Sequence, residues 1–524
     1  MNLPDLNLLN VLLAASPILI VLYLMIGRNW GGSKAGPAGW LTAVFISLLF
    51  FGANPQLLLV STGRAFLLSL YVLYIIWMAL LLYNTVNSAG AITVIGQQMP
   101  RLAHDKPAQA LLLAWVFGSF LQGATGFGVP AAIVAPLLVG LGFEANIAVT
   151  MALLGHAWAV TYGSLGSSFL SLIAATHVPG EVLANPVSFM LGICCILCGT
   201  VVLWLAGGKT AVRQRWLFLL VLAVVMSVTQ WGIARAGLWT LAAFGAGLAG
   251  LVVSIIYFTK IQKNTHDGPR FNTRRFLQAF FPYAILIVVI VLGQIFLKKP
   301  LGIVQLNYNF PEVGTSFGWT TEAGNGRSLN LFGHAGALLL YTTILAFAWF
   351  KWRGRVHFTE GDDGYNGRAI IRKTLKGSKK PTIGIFTLVA MATTMTHAGM
   401  TQLLAEALST ISGPLYPFIS PFIGALGAFM TGSNTNSNVV FGGLQETTAV
   451  ALSISIPLIL AAQTAGGAIG SAFAPAKVIV GCSTVPGADD GKTLRLTTLY
   501  GLGILIILGL VTMLLVGSAT WLPI

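Results

Sequence analysis

Long apolar stretches separated by short polar or basic segments run through the whole chain. Twelve of them approach or exceed the roughly 20 residues that a helix needs to cross a bilayer: 6–26, 38–60, 64–86, 146–175, 186–207, 213–233, 237–259, 276–297, 329–350, 381–410, 453–485 and 493–520. Apolar residues follow one another within these stretches without the alternation of a barrel strand, which predicts helices. Two more segments, 108–142 and 414–450, are apolar at both ends and interrupted in the middle by polar, Gly-rich turns. Each reads as a re-entrant hairpin that enters and leaves on the same side.

The order of these elements repeats. Gly163–Phe169 (GSLGSSF) is matched by Gly467–Phe473 (GAIGSAF), and Ser88-Ala89-Gly90 is echoed by His397-Ala398-Gly399. Each half then reads as a span, an interrupted span, a broken hairpin, a broken span and a final span. The expected organisation is one integral membrane domain over 1–524, with a first span and loop (1–37), repeat 1 (38–207), linking spans and an outer loop (208–328), and repeat 2 (329–524). The span at 38–60 is expected to run outward and that at 329–350 inward, so the repeats are inverted. The predicted fold class is an all-α polytopic membrane protein of about 12 transmembrane helices plus two re-entrant hairpins in two inverted repeats.

Composition narrows the class. Hydrophobic residues make up 56% of the chain and charged residues 8%, too few to cover the surfaces of soluble domains. The net charge of +15 does not indicate nucleic acid, because its distribution follows the positive-inside bias. Segments 27–37, 101–107, 208–215, 260–275, 351–380 and 486–495 hold 23 of the 29 Lys and Arg residues and are assigned to the inner side. Arg64, Arg235, Lys298, Lys299 and Arg327 fall outside, and Lys477 lies within a span. Both termini are then expected outside. No cleavable signal peptide is evident: no basic region precedes the first stretch, and Arg28 follows it. The segment 351–380 is expected to be a mobile cytoplasmic linker touching lipid headgroups. Cys194, Cys195, Cys198 and Cys482 lack metal-ligand spacing and read as small core residues.

Candidate chemistry gathers at four polar breaks: Gln122–Pro130 at the first hairpin tip, His156–Ser168, Thr431–Asn438 at the second tip, and Gln463–Gly467 running on to Lys477. Glycines release the chain from the helix, and the freed N–H and C=O groups need protein, water or a ligand as partners. Half-helix N-termini that meet in a cavity offer N–H groups and a positive dipole end to an anion. The candidate substrate-binding residues are Gln122, Gly123, Thr125, Gly126, Gly128, His156, Tyr162, Gly163, Ser164, Thr431, Ser433, Asn434, Thr435, Asn436, Asn438, Gln463, Thr464 and Gly466. His156, His397 and Lys477 are the embedded groups available for coupling. There is no metal-ligand spacing, Walker loop or Rossmann fingerprint, so no enzyme site, cofactor or ATP site is expected.

At these motifs the sequence resembles the L-lactate permease family, which includes glycolate permeases. The resemblance rests on Phe117–Pro130 (FGSFLQGATGFGVP), His156–Gly166 (HAWAVTYGSLG), His397–Met400 (HAGM), Thr431–Asn438 followed by Phe441–Gln445 (FGGLQ), and Gln463–Gly467 (QTAGG), in order along nearly the whole chain. It implies a bacterial or archaeal plasma-membrane permease for a 2-hydroxymonocarboxylate, typically taken up with protons. The partners so implied are a small organic anion, a co-transported cation (H⁺, or Na⁺ in a second reading) and the lipid bilayer; an uncoupled carrier and a channel are the other classes to separate. The family usually carries a glutamate where Gln122 stands, an aspartate where Asn434 stands and a lysine where Ser471 stands. The two amides have no accessible proton to carry, which leaves His156 or His397 as the expected proton carrier.

Overall fold

A computed structural model describes residues 3–28, 30–103, 105–126, 128–176, 178–261, 272–354 and 365–518. α1 (Leu8–Ile26) and α2 (Gly32–Phe50) pack as a pair. The apolar run at 38–60 does not continue as one helix. Gly52 takes a φ of +64°, the Asn54 side chain accepts from Leu57 N, and Pro55 opens a new helix, α3 (Pro55–Ser88). At 34 residues α3 is much longer than the expected 64–86. Left-handed Gly90 ends it and starts α4 (Ala91–Gln98).

The first hairpin follows. α5 (Lys106–Ala110), a π-helical stretch Leu111–Phe117 and α6 (Gly118–Ala124) form one arm, and α7 (Val129–Gly140) forms the other. Asp105 caps α5 by accepting from Ala108 N at 3.0 Å. The same carboxylate takes Arg215 Nε at 3.2 Å, which ties the base of the hairpin to a distant helix. α8 (Ala145–Gly155) and α9 (Gly163–Ala175) are the broken span, joined through a 3-10 turn at Ala157–Ala159. α10 (Gly180–Arg235) is two helices meeting at Gly207–Gly208, whose backbone is not helical, so the expected loop at 208–215 shrinks to two glycines. α11 (Ala242–Ile256), α12 (Thr273–Val291) and the short α13 (Lys298–Leu301) complete this part.

The expected outer loop carries a ribbon. β1 (Gln305–Leu306) pairs with β6 (Leu329–Asn330), β2 (Asn309–Phe310) with β5 (Gly324–Asn325), and β3 (Val313–Gly314) with β4 (Thr320–Thr321), all antiparallel. It is pinned to the mouth of α3, because Asn54 Nδ2 donates to Gly314 O at 3.0 Å and Ser316 N donates to Gly52 O at 2.8 Å.

The second half comprises α14 (Ala335–Arg353), α15 (Gly367–His397), α16 (Met400–Ser412), the hairpin α17 (Tyr416–Thr431) and α18 (Asn434–Ala451), the broken pair α19 (Ile456–Gly470) and α20 (Pro475–Cys482), and α21 (Asp490–Ser518). The expected span 381–410 is cut at Gly399, which is left-handed with a φ of +79°. The expected mobile linker is helical at both ends: Lys351–Arg353 belong to α14, and 367–380 is the first half of α15. Its Gly361–Gly364 segment lies outside the described residues.

Element order recurs from α2 to the first limb of α10 and from α14 to α21. Gly90 and Gly399 occupy the same place, each ending a very long helix in a left-handed turn before a short one. The GSLGSSF/GAIGSAF match does not mark equivalent positions. Gly163 opens α9 after its break, whereas Gly467 lies inside α19 before the corresponding break. Small residues recur there because both stretches pack closely, and that requirement generates similar strings at different places. Among the described residues, ten helices are long and apolar enough to cross a membrane; the expected spans 186–207 and 213–233 are counted together in α10, and 146–175 divides into the shorter α8 and α9.

The charge bias gives an orientation that can be tested. The four cysteines are free and buried, so the background reactivity is low. Ser378 is itself buried, whereas Lys379 and Lys298 are exposed at opposite ends of the bundle. Lys379→Cys is expected to react with an impermeant maleimide in everted vesicles only, and Lys298→Cys in intact cells only. Labelling of Lys379→Cys in intact cells reverses the orientation.

Candidate functional site at the hairpin tips

Both hairpin tips turn on left-handed glycines, Gly126 (φ +67°) and Gly128 (φ +82°) in the first and Gly432 (φ +69°) in the second. Both tips abut α20. A Cβ built on Gly128 would lie 3.6 Å from Val480, and one on Gly432 would lie 3.6 Å from Ala476. Across from the first tip, Ser164 (φ +48°), Leu165 (φ +56°) and Gly166 (φ +78°) make a left-handed turn at the start of α9. For the two non-glycines this conformation costs about 1–2 kcal/mol per residue, so the surroundings must hold it. The Ser164 hydroxyl fills the space that a Cβ on Gly126 would need. Gly163 is held against Gln122 in the same way.

The second tip is knotted to both broken spans. Ser433 caps α18, its Oγ accepting from Asn436 N at 3.4 Å. Asn434 Nδ2 donates to Thr161 Oγ1 and to Thr464 O, both at 3.1 Å. Thr161 Oγ1 also donates to Thr464 O at 3.1 Å. Asn438 Nδ2 reaches Thr464 Oγ1 and Ser168 O, each at 2.9 Å, and Ser168 Oγ lies 3.0 Å from Thr435 Oγ1. Thr161 and Ser168 come from the first half of the chain, and Asn434, Thr435, Asn438 and Thr464 from the second. All six are buried.

Four amide oxygens on the two hairpins have no hydrogen-bond partner among the described residues: Gln122 Oε1, Asn434 Oδ1, Asn436 Oδ1 and Asn438 Oδ1. A buried acceptor left without a donor costs about 1–3 kcal/mol. The oxygens of Asn434 and Asn438, one helical turn apart on α18, stand at the knot and suit a hydroxyl, a water or a cation, whereas Gln122 lies at the first tip against Gly163 and the Asn436 amide lies beside Gly32 of α2. Lys477 Nζ donates to Ser471 Oγ at 2.9 Å, at the turn where α19 gives way to α20.

The sequence profile of the L-lactate permeases matches residues 10–517. The chain belongs to the L-lactate permease family. The glycolate permease GlcA of Escherichia coli (strain K12) is 26% identical to it, over 97% of this chain and 95% of its own. The L-lactate permease of Bacillus subtilis (strain 168) is 25% identical, over 97% and 96% respectively. A solved YdaH transporter from Alcanivorax borkumensis is similar at 14% identity and a TM-score of 0.47, over 89% of this chain and 88% of its own. The protein is thus a permease rather than an enzyme, and a multi-pass integral protein of the bacterial inner membrane.

Not every residue singled out in this permease faces the tips. The Tyr162 hydroxyl points to α10, 3.2 Å from Ser188 Oγ, and its ring packs on Phe169. Gly123 lies against the backbone of Phe244, and Gly466 against that of Pro421, so both serve close helix packing. The Thr125 and Thr431 hydroxyls bond to Leu121 O and Gly427 O at 2.7 and 2.8 Å. Gln463 braces the second hairpin, taking Gln445 Nε2 at 2.9 Å and giving Nε2 to Ser437 Oγ at 3.1 Å. His156 is buried beside Gly118, with Nδ1 2.6 Å from Ala152 O. His397 lies apart from the knot and lines a separate cavity.

Thr161, Ser168, Ser437, Gln445 and Tyr416 were not singled out in the sequence, although the first four sit inside the quoted motifs. Tyr416 OH donates to Gln445 Oε1 at 2.6 Å and closes the wide end of the second hairpin.

Thr464 is the residue on which the knot converges. Thr464→Val keeps the shape and strips the hydroxyl from Asn438 and Asn434. Leaving such groups unpaired costs about 1–3 kcal/mol each. The purified variant is expected to unfold at lower temperature by intrinsic fluorescence and to lose substrate-induced stabilisation, while Thr464→Ser retains both. Gly126→Ala, forced against Ser164, is expected to abolish transport in uptake assays.

Proposed function

We propose that the protein is a secondary transporter that carries a small 2-hydroxymonocarboxylate such as L-lactate or glycolate. The observation that carries this reading is the knot of Thr161, Ser168, Asn434, Asn438 and Thr464, which joins both halves and leaves the amide oxygens of Asn434 and Asn438 without a partner among the described residues. An acceptor set of this kind suits the hydroxyl of such a substrate. The N-terminus of α18 and the Lys477 ammonium suit its carboxylate. The names of the relatives support the same substrate class. In this reading the two helix–turn–helix units are re-entrant hairpins, and the halves are inverted repeats meeting at the midplane.

Proton symport is the first reading of the coupling, with His156 as carrier. His156 is buried at the first broken span, and a substrate carboxylate bound close to it would couple proton and anion binding, each favouring the other. A second reading, sodium coupling, is supported by the free amide oxygens, since neutral oxygens suit Na⁺ without a carboxylate.

Proteoliposomes given separate pH and Na⁺ gradients separate these readings. Labelled L-lactate or glycolate is expected to accumulate with an imposed pH gradient. His156→Gln is expected to lose that accumulation and keep exchange. Accumulation that follows Na⁺ and ignores pH supports the sodium reading. Ser164→Ala in one half and Ser433→Ala in the other are each expected to weaken binding by roughly tenfold to a hundredfold, about 1.5–3 kcal/mol. No change from either half removes the two-repeat site.

A further inference from the structure

A second polar place lies at the ribbon end of the bundle. There a cavity of about 570 Å³ is lined by Arg64, Tyr71, Thr176, Asn325, Arg327 and Thr393, among others. A smaller cavity of about 160 Å³ shares Leu68, Ala175 and Thr393 with it and continues inward past Thr396, Thr401 and His397 to Val439 and Gly443 of α18. The two together run from the ribbon toward the arm of the second hairpin whose first turn carries Asn434 and Asn438.

Two guanidinium groups line this approach, and neither has an ion pair among the described residues. Arg64 stands in α3. One of its Nη atoms donates to Glu322 O at 2.9 Å, and its guanidinium lies 5.6 Å from the Phe310 ring centre, so the ribbon fixes it in place. Its Nε is buried and has no acceptor among the described residues. Arg327 comes from the ribbon end of the loop and stacks over the Tyr71 ring at 4.5 Å, and His334 meets the same ring edge-on at 4.5 Å. Arginines held by cation–π and backbone contacts keep their forked donors oriented without a carboxylate to neutralise them. The wall also offers the hydroxyls of Thr176 and Thr393, and it includes no Asp or Glu.

We propose that this cavity is an anion-capture vestibule, in which Arg64 and Arg327 bind the carboxylate of a small organic acid on the ribbon side before it passes to the hairpin tips. The proposal rests on the transport of a small organic anion. It adds a separate site on one face, so the protein binds its substrate asymmetrically from the two sides. A positive cleft with apolar walls concentrates anions and speeds their capture, an effect that salt weakens as the screening length falls to about 10 Å at 0.1 M.

The test uses right-side-out and everted membrane vesicles containing the full chain, with labelled L-lactate and glycolate. Arg327 makes no hydrogen bond among the described residues, so Arg327→Gln is the cleaner variant, and Arg327→Lys retains the charge. Arg327→Gln is expected to raise KM about tenfold for entry from the ribbon side and to leave KM for entry from the other side within twofold. Arg327→Lys is expected to restore most of the loss. In Arg64→Gln/Arg327→Gln the rise of KM with ionic strength should flatten. An unchanged KM on the ribbon side, in a variant present in the membrane at wild-type level, overturns the vestibule and leaves the transport reading standing. An equal rise from both sides also overturns it. A wild-type protein that moves neither acid under any gradient removes the transport reading itself, and the vestibule with it.

Discussion

A helix that stops inside an apolar layer strands backbone and side-chain polar groups where water cannot reach them, and this chain does so repeatedly. The fold answers with one side-chain knot. Thr464 and Asn434 bind each other within the second half, and both take Thr161 from the first. Each of those contacts is worth only about 1 kcal/mol net, but leaving any partner unpaired costs more than the bond contributes. The knot is therefore strong chiefly against partial disruption. It also leaves the amide oxygens of Asn434 and Asn438 without a partner among the described residues, so the knot retains acceptors that a ligand can fill.

The approach of backbone to backbone around the knot depends on glycines that accept no Cβ. Phe120 of α6 and Phe244 of α11 each lie against a glycine of the other helix, Gly247 and Gly123. On the second half Gly424, Gly466 and Gly470 do the same between α17 and α19. Such contacts bring helices close enough for dispersion and backbone dipoles to act without a hydrophobic driving force, which lipid does not supply. The left-handed turn at Ser164–Gly166 belongs to the same economy: its strain is held by neighbours already packed to contact, and it directs the Ser164 hydroxyl toward the first tip.

Much of this was readable in advance because hydropathy and chain-breaking residues report on the same physics that forms membrane helices. The two hairpins, the two broken spans and the tracts at 122–130 and 431–438 all appear in the structure as breaks. Helix limits were less readable. Asn54-Pro55 and Gly399 cut apolar runs that hydropathy alone joins, since a cap and a left-handed turn need only one or two residues. The ribbon at 305–330 was hidden because its pairs are two residues long and carry no alternation. Side-chain direction was the least readable. Thr161 and Tyr162 are neighbours, yet one enters the knot and the other turns to Ser188, and nothing in their order distinguishes them.

The positive charge at the fourth break shows how position outweighs residue number. The resemblance places a lysine where Ser471 stands, and the cation here is six residues further on. Between them Ala474 is extended and Pro475 opens α20, so the chain turns and its first helical turn lies back over the break. Lys477 then brings its Nζ to within 2.9 Å of Ser471 Oγ. The ammonium thus lies against the residue where the resemblance places a lysine. A long flexible stem makes such a relocation sterically simple, and an ammonium acts on an anion as a point charge, indifferent to the direction from which it comes. Amides in place of carboxylates at Gln122 and Asn434 have no such remedy, because a proton carrier must titrate where the substrate sits. In the proposed site Lys477 supplies a charge that can hold the anion, and under proton symport the carrier must be a group other than these two amides.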